Sequence, residues 1–107
     1  MQAIIKRFIP VMEMIQKLSP PKQTSYLKKA PKDFIQFLAN VALNIKIGKF
    51  SVQPKVFAHL KINRKLLEKI CEPKRSLISR RKLISRRGTY DKIYSPVIDD
   101  LIQLISK

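Results

Sequence analysis

Asp33-Phe-Ile-Gln-Phe-Leu-Ala-Asn-Val-Ala-Leu-Asn-Ile-Lys-Ile-Gly48 is the stretch whose reading decides the fold. At 100° per residue, Phe34, Ile35, Phe37, Leu38, Val41, Ala42, Leu43, Ile45 and Ile47 nearly encircle a helix, and a helix that is apolar on most sides is buried on most sides. Asp33 can cap its start, and Gly48 suits its end, where a positive φ is easily adopted. Residues 34–47 are therefore expected to form a central helix that the rest of the chain covers.

Upstream, Phe8, Met12, Ile15 and Leu18 recur at helical spacing, with Ile4, Ile5 and Val11 on the flank and Pro10 as a kink or late start. Lys6, Arg7, Pro10, Glu13 and Lys17 interrupt this run. It is too polar for a membrane span and carries no small-residue cleavage site. Ser19-Pro20-Pro21 stops the helix, and a short second helix over Gln23–Ala30 closes at Pro31.

Downstream, after a turn over Lys49–Gln53, Pro54 opens a short helix holding Val56, Phe57 and Leu60. Asn63 can cap Arg64–Glu72, with Leu66, Leu67 and Ile70 inward and Arg64, Lys65 and Lys69 outward. Pro73 ends it. Ser76 then caps a helix over 77–87 that stops at Gly88, with Leu77 and Ile84 as its buried seam. In the tail, Ser95 serves as cap and Pro96 as first helical residue, with Asp99 and Asp100 in the first turn and an apolar stripe of Val97, Leu101, Leu104 and Ile105. That stripe either docks on the domain or holds a second copy. The expected fold is all-α, a compact bundle of six or seven short helices with a basic helix near the C-terminal third. Residues 1–107 form a single small domain: an apolar core half (1–52), a basic half (53–88) and a C-terminal amphipathic helix (89–107).

Charge is the clue to function. The chain holds 23 Lys and Arg against 7 Asp and Glu, a net +16, distributed as +7 over residues 1–52, +10 over 53–88 and −1 over 89–107. Such an excess implies a polyanionic partner, with nucleic acid first and an anionic membrane surface behind it. The residues expected to bind it are Arg64, Lys65, Lys74, Arg75, Arg80, Arg81, Lys82, Arg86 and Arg87. A face kept only for solubility would mix signs, whereas five cations stand unbalanced over 77–87. Helix, tight break and basic helix outline a helix-turn-helix, but the break holds Pro73 and no glycine, and no base-reading Asn or Gln stands in the second helix. Contacts to the phosphate backbone are expected instead.

One cysteine, Cys71, and one histidine, His59, exclude an internal disulfide and a Cys/His zinc site. Cys71 is expected in the core. Two glycines cannot build a phosphate loop, and no carboxylate pair or Ser/His/Asp set is supported. Neither enzymatic activity nor a cofactor is expected.

Asn40-Val-Ala-Leu-Asn-Ile-Lys-Ile-Gly-Lys, Leu66-Leu-Glu-Lys-Ile, Ser76-Leu, Arg80-Arg-Lys-Leu-Ile and Arg87-Gly form an ordered set over roughly residues 4–90. In it the chain resembles a family of small basic proteins encoded by polinton (Maverick) elements and adintovirus-type DNA viruses. Two departures stand out: the family's glycine pair is Gly88-Thr89 here, and its strongly apolar tail is the more polar Tyr90–Lys107. The resemblance implies a virion protein, inside the particle and in the host nucleus during assembly, similar in role to the basic core proteins that condense adenoviral DNA. The partner it implies is double-stranded DNA bound without sequence preference, with a capsid protein or a second copy as further candidates. The rival expectation is a minor capsid or cement protein gripping the shell through apolar terminal helices.

Overall fold

Proline placement sets where several helices start. A computed structural model describes residues 2–48 and 52–106. Its helices are α1 (Gln2–Gln16), α2 (Pro20–Lys29), α3 (Lys32–Lys46), α4 (Pro54–Ile62), α5 (Arg64–Ile70), α6 (Leu77–Ile84), α7 (Thr89–Ile93) and α8 (Ile98–Ile105), with a 3-10 turn over Ser95–Val97. There is no strand among the described residues, so the fold is all-α. The turn expected over Lys49–Gln53 lies largely outside the described residues.

Pro20 and Pro21 occupy the first positions of α2, where a missing N–H costs nothing, so α2 begins three residues before the expected Gln23. Pro10, by contrast, lies inside α1, which runs through it. Pro10 and Lys6 are both exposed, which puts the carbonyl lacking its i+4 donor on the water side. α3 begins at Lys32, so Asp33 stands in its first turn rather than capping it. There its Oδ1 accepts from the Phe34 N–H at 2.9 Å and its Oδ2 from Arg7 at 3.1 Å, a carboxylate at the positive end of the helix dipole.

α3 is the central helix, burying Phe34, Ile35, Phe37, Leu38, Ala39, Val41, Ala42 and Asn44. It is not apolar all round. Gln36, Asn40, Leu43 and Ile47, at helical spacing, keep one line in water, so Leu43 and Ile47 are 42% and 54% exposed instead of buried. Phe8 of α1 meets Phe34 and Phe37 with ring centroids 5.3 and 5.0 Å apart.

α4 turns Val56 and Leu60 inward and leaves Phe57 61% exposed. Asn63 holds the N-cap position of α5, as expected, but its side chain makes no cap bond there. Its side-chain amide donates to the His59 carbonyl at 3.2 Å, finishing α4, and α5 starts at the next residue.

The tail contributes more to the core than a docked amphipathic helix would. Residues 89–107 carry α7, the 3-10 turn and α8, and Tyr90, Ile93, Tyr94, Val97, Ile98 and Leu101 are all buried. Ser95 makes no cap; its hydroxyl donates to Asp91 at 2.9 Å. The Tyr90 hydroxyl donates to the Met12 carbonyl at 2.8 Å and the Tyr94 hydroxyl to that of Leu38 at 2.9 Å, so both buried phenols are satisfied. α8 lies against α1, which settles the destination of its apolar stripe within the chain. One hydrophobic cluster runs from Ile5 to Leu101, drawing on all three sequence segments, and the Cα radius of gyration is 12.7 Å.

Candidate nucleic-acid interface

The basic stretch folds into a loop and a shorter helix than expected. Ser76 caps α6 by accepting from the Ser79 N–H at 3.1 Å. α6 then stops at Ile84 rather than Arg87, because Leu83 and Ile84 are drawn into the core and Gly88, at φ +87°, turns the chain straight into α7. Leu77 is only half-buried, so the inner contact is Leu83 with Ile84, and Ile78 on the other side is 72% exposed.

Three of the nine candidate cations point into the molecule. Arg75, with its side chain 21% exposed, donates from Nε to the Lys69 carbonyl at 2.8 Å, from Nη1 to Ser79 Oγ at 2.7 Å and from Nη2 to Glu72 at 2.8 Å. Arg80 donates from Nε to the Ile70 carbonyl at 3.1 Å and from Nη2 to that of Glu72 at 2.7 Å. Arg81 donates from Nη1 to the carbonyls of Leu27 and Ala30 at 2.9 and 2.7 Å. The last carbonyls of a helix have no partner within it and carry the negative end of its dipole. Arg75 and Arg80 thus close the end of α5, and Arg81 the end of α2. Gln23 does the same for α1, its amide nitrogen donating to the carbonyls of Ile15 and Leu18, both at 3.2 Å, and to Asp91 at 3.0 Å.

The other six, Arg64, Lys65, Lys74, Lys82, Arg86 and Arg87, are exposed. Among the described residues the ion pairs are Arg7 with Asp33, Arg64 with Glu68 and Arg75 with Glu72, so of these six Arg64 alone makes an ion pair. That pair is open to solvent at 2.8 Å, with the arginine side chain 74% exposed, a geometry that holds the cation only weakly.

Five of the six line three different depressions. Lys82, Arg86 and Arg87 share a depression of about 330 Å³ with Arg81, Ser85, Lys28 and Thr24, between α2 and the end of α6. Arg64 and Lys65 line another with Lys61, Ile62, Asn63, Leu66 and Lys92, where α4 meets α5. Lys65 also borders a third, alongside Lys46, Lys69 and Pro73 with Glu68 and Glu72. Lys28, Lys46, Lys61, Lys69 and Lys92 are members that sequence reasoning missed. Lys28, Lys46 and Lys92 come from helices distant in the chain, where no local pattern could have signalled them, whereas Lys61 and Lys69 stand one helical turn from Arg64 and Lys65 and were legible from that spacing.

Cys71 is buried, and that burial pushes its thiol up, opposed by nearby Lys46 and Arg80. It is a core residue with little thiolate character. His59 is exposed, with Nε2 3.1 Å from the Lys92 carbonyl. Among the described residues no three His, Cys, Asp or Glu side chains gather as a metal site, and no helix is long and apolar enough to cross a membrane. No family model, curated protein or solved structure matches the chain.

Proposed function

We propose that this chain is a non-enzymatic protein that binds double-stranded DNA without reading its sequence and condenses it inside a virus-like particle. The observation that carries the reading is the separation of the basic residues into an inward set tied to carbonyls and an outward set of which Lys65, Lys74, Lys82, Arg86 and Arg87 make no ion pair among the described residues. Lys and Arg of the outward set neutralise phosphates and release condensed counterions, and Arg86 and Arg87 can grip phosphate oxygens in bidentate fashion. α6 supplies no base reader: Arg80 and Arg81 are anchored to helix-end carbonyls, and its outer side presents Ile78 and Lys82. Affinity without discrimination follows. The longest extent of the molecule, 32 Å, is close to the roughly 34 Å of one B-DNA turn.

The test is duplex affinity on two unrelated sequences across a salt series. Six neutralised phosphates give a slope of log affinity against log salt of about −5, equal for both sequences. A slope near zero, or a strong preference for one sequence, overturns the proposal.

The second reading is a minor capsid or cement protein. Packing of α1 on α8 takes most of the terminal apolar surface inward, but Phe57 and Ile62, 61% and 84% exposed, offer an apolar contact on α4. Stoichiometric binding to a capsid protein that survives nuclease and is lost in Phe57→Ser/Ile62→Ser would favour it.

A further inference from the structure

The depression between α2 and the end of α6 differs from the rest of the basic surface. Five cations, Lys28, Arg81, Lys82, Arg86 and Arg87, surround about 330 Å³, and no carboxylate lines it. Elsewhere the fold places acids beside its cations, at Arg7, Arg64 and Arg75. Of two other basic depressions, one is lined by Glu68 and Glu72, and the other by Arg64, whose guanidinium is paired with Glu68.

Arg81 is also preset. Both protons of its Nη1 are engaged by the Leu27 and Ala30 carbonyls, which fixes the guanidinium plane and leaves the Nε–H and the two Nη2 protons for a ligand. Ser85, buried beside it, makes only a long 3.5 Å bond to the Lys82 carbonyl. Like charges gathered around one small space repel one another, and a compact anion of high charge density removes that cost. A volume near 330 Å³ is at the small-molecule scale, whereas the phosphates of a duplex are strung along its outside.

We propose that this depression is a site for a compact polyphosphate, two or three linked phosphoryl groups held by the Arg81 fork with Lys28, Lys82, Arg86 and Arg87 around it. The site shares Lys82, Arg86 and Arg87 with the proposed duplex-binding set, so duplex and polyphosphate compete for them, but its occupation does not require a duplex. A free polyphosphate and the triphosphate of a nucleotide share this chemistry.

The experiment is calorimetric titration and thermal unfolding of the full chain with inorganic tripolyphosphate, ATP and orthophosphate at matched ionic strength, with duplex affinity recorded in parallel. One-to-one binding of tripolyphosphate, and a melting temperature raised by roughly 5 °C or more at tenfold excess over Kd, are expected. Lys28→Gln/Lys82→Gln/Arg86→Gln, which leaves Arg81 in place, should weaken binding at least tenfold, while Lys61→Gln/Lys65→Gln should change it less than twofold. ATP binding comparable to that of tripolyphosphate identifies a nucleotide as the source; tripolyphosphate binding alone identifies a free chain. The proposal is overturned by the absence of one-to-one binding above the orthophosphate control, or by equal losses in the two variants. Because duplex affinity is read separately, failure here leaves the DNA reading standing, and the reverse holds.

Discussion

Arginine in this chain has two roles, and the difference rests on what each guanidinium can reach. Arg81 is 51 and 54 residues from the carbonyls it holds, yet those bonds decide whether the end of α2 stays closed against α6. Arg81→Gln removes a charged donor from two carbonyls and should lower stability by about 1.5–3 kcal/mol, read from urea midpoints with an unchanged m-value. Arg87→Gln, on an exposed residue, should stay within about 0.5 kcal/mol. The buried tyrosines set an upper pH limit. Burial raises the phenol of Tyr94 well above its ordinary 10.0, with Cys71 and Tyr90 adding to the effect, and it raises Tyr90 likewise, with Asp91 adding. The unfolded chain therefore releases these protons first. Their contribution is complete below about pH 10 and is lost as pH climbs beyond it toward the raised folded values. A melting temperature followed from neutral pH to about pH 11 should be flat and then fall, and Tyr94→Phe should soften the fall.

At the scale of elements, α6 is shared by several others: it packs on α2, α3, α5 and α7. Leu83 and Ile84 are its anchors, with Ile84 wholly buried. Ile84→Ala should cost about 2–5 kcal/mol, and Ser76→Ala, which loses the cap, about 1 kcal/mol, both measurable by chemical denaturation. Much at this scale was legible in the sequence. The central helix, the cap at Ser76, the positive φ at Gly88, the opening at Pro54 and the breaks near Pro20 and Pro31 rest on local rules, and the structure agrees to within a few residues, although Gly88 precedes α7 instead of capping α6. What was not legible depended on distant neighbours. The early stop of α6 follows from burial of Leu83 and Ile84, the wet line of Leu43 and Ile47 from which side of α3 receives partners, and the deep role of Tyr90 and Tyr94 from carbonyls on α1 and α3. For the same reason the nine candidate cations could be chosen by composition but not sorted, since nothing local distinguishes Arg81, tied to α2, from exposed Arg86.

For the whole molecule, a charge of +16 on a body extending 32 × 27 × 24 Å makes self-repulsion part of its stability. The inward arginines ease that strain by facing helix carbonyls, and the outward ones are the proposed contacts to a polyanion. The division between them is the central claim, and the salt dependence of duplex affinity in two paired variants tests it most directly. Arg86→Gln/Arg87→Gln should remain as stable as the native chain while its salt slope flattens by about 2. Arg80→Gln/Arg81→Gln should unfold at lower denaturant yet keep the native slope wherever it is folded. Equal flattening in both pairs would contradict the account, because it would mean that the arginines at the helix ends contact phosphate as the exposed ones do.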